Sequence, residues 1–211
     1  MTNDRVGLLG GTFDPVHNAH LALAHAAIDA LRLDQLRWIP AGQPWQKSRS
    51  VTSAHHREAM LHLALDGEPR FVLDRIELER SGPSYTLDTV KALAVAQPLT
   101  QWFLIIGADQ YASLHTWVGW RELLGRVVLA VANRPGPLPP VHGDVRAFAH
   151  SVVPLPMLGI SSTDVRQRVQ RSHGTSDIGA LVPPEVARYI ETHRLYCCCG
   201  TTAAESTSLR S

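Results

Sequence analysis

The sequence predicts an α/β fold: a doubly wound, mostly parallel sheet with helices on both faces and a helical segment at its C-terminal end. Three observations carry this expectation. Short apolar runs rich in β-branched residues recur at 6–9, 36–39, 71–73, 102–106, 127–131 and 152–155. Stretches with helical periodicity lie between most of them, at 20–33, 55–65, 85–95 and 120–124, and strands alternating with helices build βαβ units whose strands run parallel. The runs WFLII and VVLAV lack polar alternation, as expected of strands covered on both faces.

Taken in order, the first strand ends in Gly10-Gly11, where the backbone can turn sharply and a ligand can approach it closely. Asp14 is expected to cap the next helix and Pro15 to occupy its first turn. The second strand leads into GQPWQKSR, which holds Lys47, and then to a helix carrying Arg57. The third precedes ELERSGPSYTLDTV, in which Gly82-Pro83 makes a turn and Ser84 caps a helix. The fourth ends in Gly107-Ala108-Asp109, a carboxylate at the sheet edge, followed by Trp117 and Trp120. After the sixth, Ser161 or Ser162 caps a helix over 162–170 with Asp164 available for a capping box. A last helix opens at Pro183-Pro184 and runs to about residue 194.

At 211 residues and 45% hydrophobic, the chain can bury a sizeable core. We read one domain over 1–196 and a disordered tail over 197–211, where the residues become small and polar. Twenty basic residues against 19 acidic ones leave a net charge of +1, so there is no global basic field for a nucleic-acid backbone or an anionic membrane. The N-terminus lacks the features of a signal peptide, and no apolar run approaches the roughly 20 residues needed to span a bilayer. A soluble cytoplasmic protein is expected, with no nucleic-acid or membrane partner and compatible with a homo-oligomer. Cys197, Cys198 and Cys199 are consecutive, a poor geometry for disulfides or a zinc knuckle; they read as reduced thiols.

Open parallel sheets bind ligands beyond the C-terminal ends of their strands, so the loops there carry the chemistry. In GGTFDPVHNAH, His17 and His20 stand three apart on one helix face near its positive end. Two imidazoles with helix-start N–H groups suit a phosphate. A metal site, which would need further ligands, and structural histidines capping a loop also remain open on these residues alone. Neither G-x-G-x-x-G nor G-x-x-x-x-G-K-[ST] is present. Elsewhere each residue has two readings: Lys47 and Arg57 as phosphate ligands or solvated charge, the helix start at Tyr85 and Thr86 as a second anion site or an ordinary capped end. Asp109 accepts from ribose hydroxyls or caps a helix, Trp117 stacks on a ring or fills core, and Arg166, which opposes its helix dipole, answers either Asp164 or a bound anion.

GGTFDPVHNAH resembles the signature of the nucleotidylyltransferase superfamily, G-x-F-D-P-x-H-x-G-H on a Rossmann-like fold, with Ala19 where glycine is usual. GISSTDVR is similar to the superfamily's second nucleotide signature, in which hydroxyls, backbone and an arginine hold ATP phosphates. GPSYTLDT is similar to a segment particular to the bacterial nicotinate-nucleotide adenylyltransferases, and the resemblance spans roughly 5–196. It implies transfer of AMP from ATP to nicotinate mononucleotide, forming deamido-NAD and pyrophosphate by direct in-line displacement. It implies catalytic roles for His17, His20, Lys47 and Arg166. ATP binding then falls to Gly10, Gly11, Thr12, Phe13, His17, His20, Gly107, Asp109, Ile160, Ser161, Ser162, Thr163 and Arg166, and nicotinate-nucleotide binding to Lys47, Tyr85, Thr86 and Trp117. The flanks of Lys47 differ from the P-P-H-K pattern of the family. Magnesium is expected to bridge substrate phosphates, bound mainly by substrate oxygens and water, with no dedicated carboxylate cage. Two alternatives stand: adenylyl transfer to nicotinamide mononucleotide or phosphopantetheine, and a nucleotide-binding regulator without the reaction.

Overall fold

The computed structural model describes residues 4–42, 51–133, 140–155, 158–172 and 174–197. Its strands are β1 (Arg5–Gly11), β2 (Gln35–Pro40), β3 (Phe71–Leu73), β4 (Gln101–Gly107), β5 (Val128–Asn133) and β6 (His150–Pro154). They join in the order β3-β2-β1-β4-β5-β6 with every pairing parallel. The chain therefore winds outward from β1 to β3, returns to lay β4 beside β1, and winds outward again. The crevice at that reversal is where such sheets receive ligands.

The helices are α1 (Asn18–Leu31), α2 (Ala54–Leu65), α3 (Thr86–Ala96), α4 (Ala108–Ser113), α5 (Trp120–Leu124), α6 (Gly143–Arg146), α7 (Ser162–Ser172) and α8 (Pro184–Thr192). Each strand expected from the apolar runs is present. The short α4 and α6 are additional, being 6 and 4 residues long, less than the two turns over which a 3.6-residue period becomes visible. None of the helices among the described residues is long and apolar enough to cross a membrane.

Side chains alternate across the sheet with period two, and each face is covered. Leu9, Phe103, Ile105, Ala130 and Ala132 meet α1, α2, α7 and α8 through residues such as Ala24, Ile28, Met60, Leu61, Val165 and Ile190. Val6, Leu8, Trp102, Leu104, Ile106, Leu129 and Val131 meet α3 to α6 through Leu87, Val90, Tyr111, Leu123 and Val145. Burying each such aliphatic side chain contributes about 1.5–3 kcal/mol, which anchors the strands that end at the crevice.

Candidate active site

The loop between β1 and α1 differs from its expected form. Asp14 does not cap α1 and Pro15 does not begin it; the helix starts at Asn18 with His17 at the N-cap. Asp14 is instead fully buried, and the Asp14-Pro15 bond is cis. One Asp14 carboxylate oxygen accepts from the Tyr196 hydroxyl at 2.8 Å and the other from the Thr52 amide at 3.4 Å. Phe13 has a left-handed φ of 50°, and its buried ring packs on His20 at 5.1 Å and Trp38 at 5.4 Å. What Phe13 offers the crevice is therefore backbone. A Cβ on Gly11 would lie 2.9 Å from that ring, so only glycine fits; at Gly10 a Cβ would meet nothing within 4 Å among the described residues, which leaves that backbone approachable.

His17 and His20 stack with ring centroids 3.6 Å apart. The His17 amide donates to His20 Nδ1 at 3.2 Å, so the neutral His20 ring carries its proton on Nε2 and presents a donor there. The helix-start amide that would otherwise lack a partner is thereby satisfied by a side chain. Ala19 is only 7% exposed, so little of the methyl that replaces the usual glycine faces the open crevice.

The second motif meets this loop from 147 residues away. Ser161 is the N-cap of α7: its hydroxyl and amide donate to Asp164 at 2.5 and 3.1 Å, and the Asp164 amide returns a bond to the hydroxyl. Those bonds hold the Asp164 carboxylate below its usual range. Asp164 thus serves Ser161, not Arg166. Arg166 donates to the Asp14 carbonyl at 2.6 Å and to the Thr163 hydroxyl at 3.0 Å, while the Ser162 hydroxyl donates to the Pro15 carbonyl at 2.9 Å. Hydroxyls, guanidinium and the stacked imidazoles therefore occupy one corner between α1 and α7, with Ile160 half-buried just before it. Gly107 and Asp109 follow β4, the strand hydrogen-bonded to β1. The Gly107 amide is capped by Gln110 at 3.1 Å, so Asp109, exposed in the first turn of α4, is not needed as the cap.

The residues expected on the acceptor side gather elsewhere on the rim. Tyr85, not Ser84, is the N-cap of α3, and Thr86 is its first residue. The Ser84 hydroxyl accepts from the Gly42 amide at 3.2 Å instead, and a Cβ on Gly42 would strike the Glu77 carbonyl at 2.1 Å. Trp117 is half-buried beside Val118 and Gly119, whose left-handed backbone lets it press against Leu87 in the first turn of α3. Tyr85, Thr86 and Trp117 thus share one neighbourhood. Beneath them Glu77 is buried, and burial pushes its carboxyl above the usual range against the opposing bonds from Thr89 and Ser84. Lys47 lies outside the described residues.

Two contributors to the site were not singled out from sequence for the parts they play. Arg57, read as a phosphate ligand or solvated charge, is 2% exposed and donates to the carbonyls of Thr52 at 2.9 Å, Thr12 at 3.0 Å and Gly42 at 3.5 Å. It pins the loops after β1 and β2 together. Its place one turn before Met60 and Leu61 put it on the buried face of α2, a signal that periodicity contains. Tyr196 carries no comparable local signal. Cys197 is half-buried against the core, and Cys198, Cys199 and the rest of the expected tail lie outside the described residues.

The cytidylyltransferase-like family matches residues 8–168, which includes both loops of the corner. The chain is also 48% identical over 196 residues to a probable nicotinate-nucleotide adenylyltransferase of Methylibium petroleiphilum, covering 91% of this chain and 92% of that one. The chain belongs to the nicotinate-nucleotide adenylyltransferase family. A probable nicotinate-nucleotide adenylyltransferase of Mycobacterium bovis is 38% identical over 211 residues, with 97% of each chain covered. Among solved structures, Plasmodium falciparum nicotinic acid mononucleotide adenylyltransferase complexed with NaAD superposes with a TM-score of 0.75 at 20% identity, covering 92% of this chain and 98% of that one. That likeness is one of fold. Within the adenylyltransferase family, the corner of His17, His20, Ser162 and Arg166 is the natural place to look for the chemistry.

Proposed function

We propose that the chain transfers the AMP moiety of ATP to nicotinate mononucleotide, forming deamido-NAD and releasing pyrophosphate, as a step of NAD biosynthesis. The observation that carries the residue assignments is the union of the two motifs: Ser162 bonded to the Pro15 carbonyl and Arg166 to the Asp14 carbonyl. This puts guanidinium, hydroxyls and a pair of imidazoles at one helix junction, a constellation suited to a polyphosphate.

The mechanism needs no protein nucleophile. The acceptor is a phosphate whose second pKa is about 6, so it is already ionised at neutral pH. Catalysis reduces to holding its oxygen in line with the α-phosphorus and neutralising the charge that develops on the departing pyrophosphate. Alignment of bound partners contributes about 7–11 kcal/mol, and fixed charge several more. In this reading His20, with Nδ1 occupied by the His17 amide, donates from Nε2 to the transferring phosphate. His17, stacked on it, supports the same oxygen cluster. Arg166, oriented by its bonds to Asp14 and Thr163, and Lys47 take the triphosphate; Ser161, Ser162 and Thr163 line it, and the backbone of Gly10 to Phe13 and Ile160 closes round the nucleotide. Asp109 and Gly107 receive the ribose, while Tyr85, Thr86 and Trp117 receive the nicotinate nucleotide.

Among the described residues no group of three or more histidines, cysteines or carboxylates converges to hold a metal ion, and the Asp14 carboxylate is committed to Tyr196 and Thr52. The donors that remain at the corner are mainly hydroxyls and nitrogen cations, which fits a magnesium ion carried in by phosphate oxygens and water. When bound it neutralises charge across the phosphates. The partners are then ATP and nicotinate mononucleotide, and the compartment is the cytoplasm.

Pyrophosphate release on mixing the protein with ATP, magnesium and a varied acceptor tests the proposal. Nicotinate mononucleotide should give the highest kcat/KM, nicotinamide mononucleotide a lower one because a helix start favours a carboxylate over a neutral amide, and phosphopantetheine none. Equal rates with both pyridine nucleotides would remove the acceptor assignment, and no release with either would overturn the reaction.

A further inference from the structure

The structure assigns Tyr196 the role of a positioning residue that acts through Asp14 to hold the His17–His20 loop and Arg166 in register; the assignment rests on the adenylyl-transfer reading above. Beyond α8 the chain turns inward through two non-glycine residues in the left-handed region, Arg194 at φ 49° and Tyr196 at φ 65°. Such conformations are disfavoured for L-residues and persist where surrounding contacts over-determine them. Here the contact is with a buried carboxylate: the half-buried phenol donates to an Asp14 oxygen at 2.8 Å and also hydrogen-bonds the Thr52 side chain.

Asp14 is a lever for the corner because each part of it is used. Its second carboxylate oxygen accepts from the Thr52 amide, its carbonyl accepts from Arg166, the next carbonyl along accepts from Ser162, and three residues on the His17 amide donates to His20. A buried carboxylate deprived of a donor draws in another, and the guanidiniums of Arg57 and Arg166 stand close by. Removing the phenolic hydroxyl is therefore expected to pull a guanidinium toward Asp14 and shift the loop with it. Displacements of about 1 Å in a phosphoryl-transfer site cost up to about 10²-fold in rate.

Tyr189 provides the control. It lies on α8, close to Tyr196 in sequence, and its hydroxyl is also bonded inward, to His56 Nδ1 at 2.9 Å on α2, while its ring meets His56 and His193 and its hydroxyl is not bonded to Asp14. Full-length Tyr196→Phe and Tyr189→Phe would be compared with wild type by thermal melting, by steady-state pyrophosphate release, and by the 15N imidazole resonances of His17 and His20 in the ligand-free protein. Tyr196→Phe should lower kcat about 10-fold with the KM for ATP within about threefold and shift both imidazole signals. Tyr189→Phe should keep kcat within about twofold and leave those signals in place, whatever its loss in Tm. Should Tyr196→Phe not fold, Thr52→Val, which loosens the same phenol, should lower kcat about threefold.

The assignment is overturned if Tyr196→Phe retains kcat within twofold of wild type, if kcat in both tyrosine variants falls only in proportion to Tm, or if Thr52→Val, used in its place, is unchanged. A wild-type protein that releases no pyrophosphate refutes the adenylyl-transfer reading instead. The imidazole signals would still decide whether Tyr196 governs the loop.

Discussion

The corner where α1 meets α7 and the rim formed by the start of α3 and the Trp117 turn lie along one crevice, yet they are held by different means. In the corner, part-buried bonds join residues 45 to 182 positions apart, and the carbonyls of Thr12, Asp14 and Pro15 each accept from a side chain on another element. On the rim, the supports of half-exposed Tyr85, Thr86 and Trp117 among the described residues include the close Gly119–Leu87 approach, the Gly42 amide donating to the Ser84 hydroxyl, and bonds within their own helix and turn. On the site assignment proposed above, the contrast follows the chemistry. In-line transfer tolerates little displacement of the groups around the transferring phosphorus, whereas discrimination among acceptors needs a surface that can vary without disturbing them.

The largest expected effect lies in the corner. His20→Ala should lower turnover about 10²-fold or more while ATP affinity, measured by calorimetry, changes comparatively little; turnover near wild type would erase the distinction between the two regions. Second, Arg57→Met should cost about 2 kcal/mol in urea unfolding, because it leaves three carbonyls without their buried donor, whereas Ser84→Ala on the rim should cost less than about 1 kcal/mol. Equal costs would mean that the two regions are equally welded. Third, Trp117→Ala should raise the KM for nicotinate mononucleotide about 10-fold and leave the KM for ATP unchanged; a matching rise for ATP would merge the two subsites.

The smallest effect concerns Glu77 beneath the rim. Its carboxyl is raised in the folded state by burial, so its contribution is present in full below the ordinary glutamate pKa of about 4.3 and is lost as pH rises through the raised value. Glu77→Gln should therefore be stabilising relative to wild type at pH 7 and near-neutral at pH 4. Melting curves at the two pH values check the sign.

The sheet, its strand positions and both motifs were legible from sequence because each has a local signature: unbroken apolar runs, 3.6-residue periodicity, or a cap three residues from its partner, as in Ser161 and Asp164. Asp14, Ser84 and Arg57 behaved otherwise. The neighbours of Asp14 suit a cap, but its partners stand 38 and 182 residues away. Ser84 forsakes its own helix for Gly42, 42 residues upstream. No pattern within a window of a few residues records such choices; they are settled when the sheet brings distant loops together. Arg57 was the recoverable case, since its spacing from Met60 and Leu61 already placed its charge on a buried face.

The 147- and 152-residue spans closed by Ser162 and Arg166 also bear on how the molecule comes into being. Translation proceeds at about 5–20 residues per second, so the histidine loop is made roughly seven to thirty seconds before the helix that must clasp it. Throughout that interval the growing polypeptide holds imidazoles without the cradle that aims them, and a product released prematurely before residue 162 lacks the means to build one. On the site assignment proposed above, competence toward nucleotide therefore waits until residues 162–166 have been made.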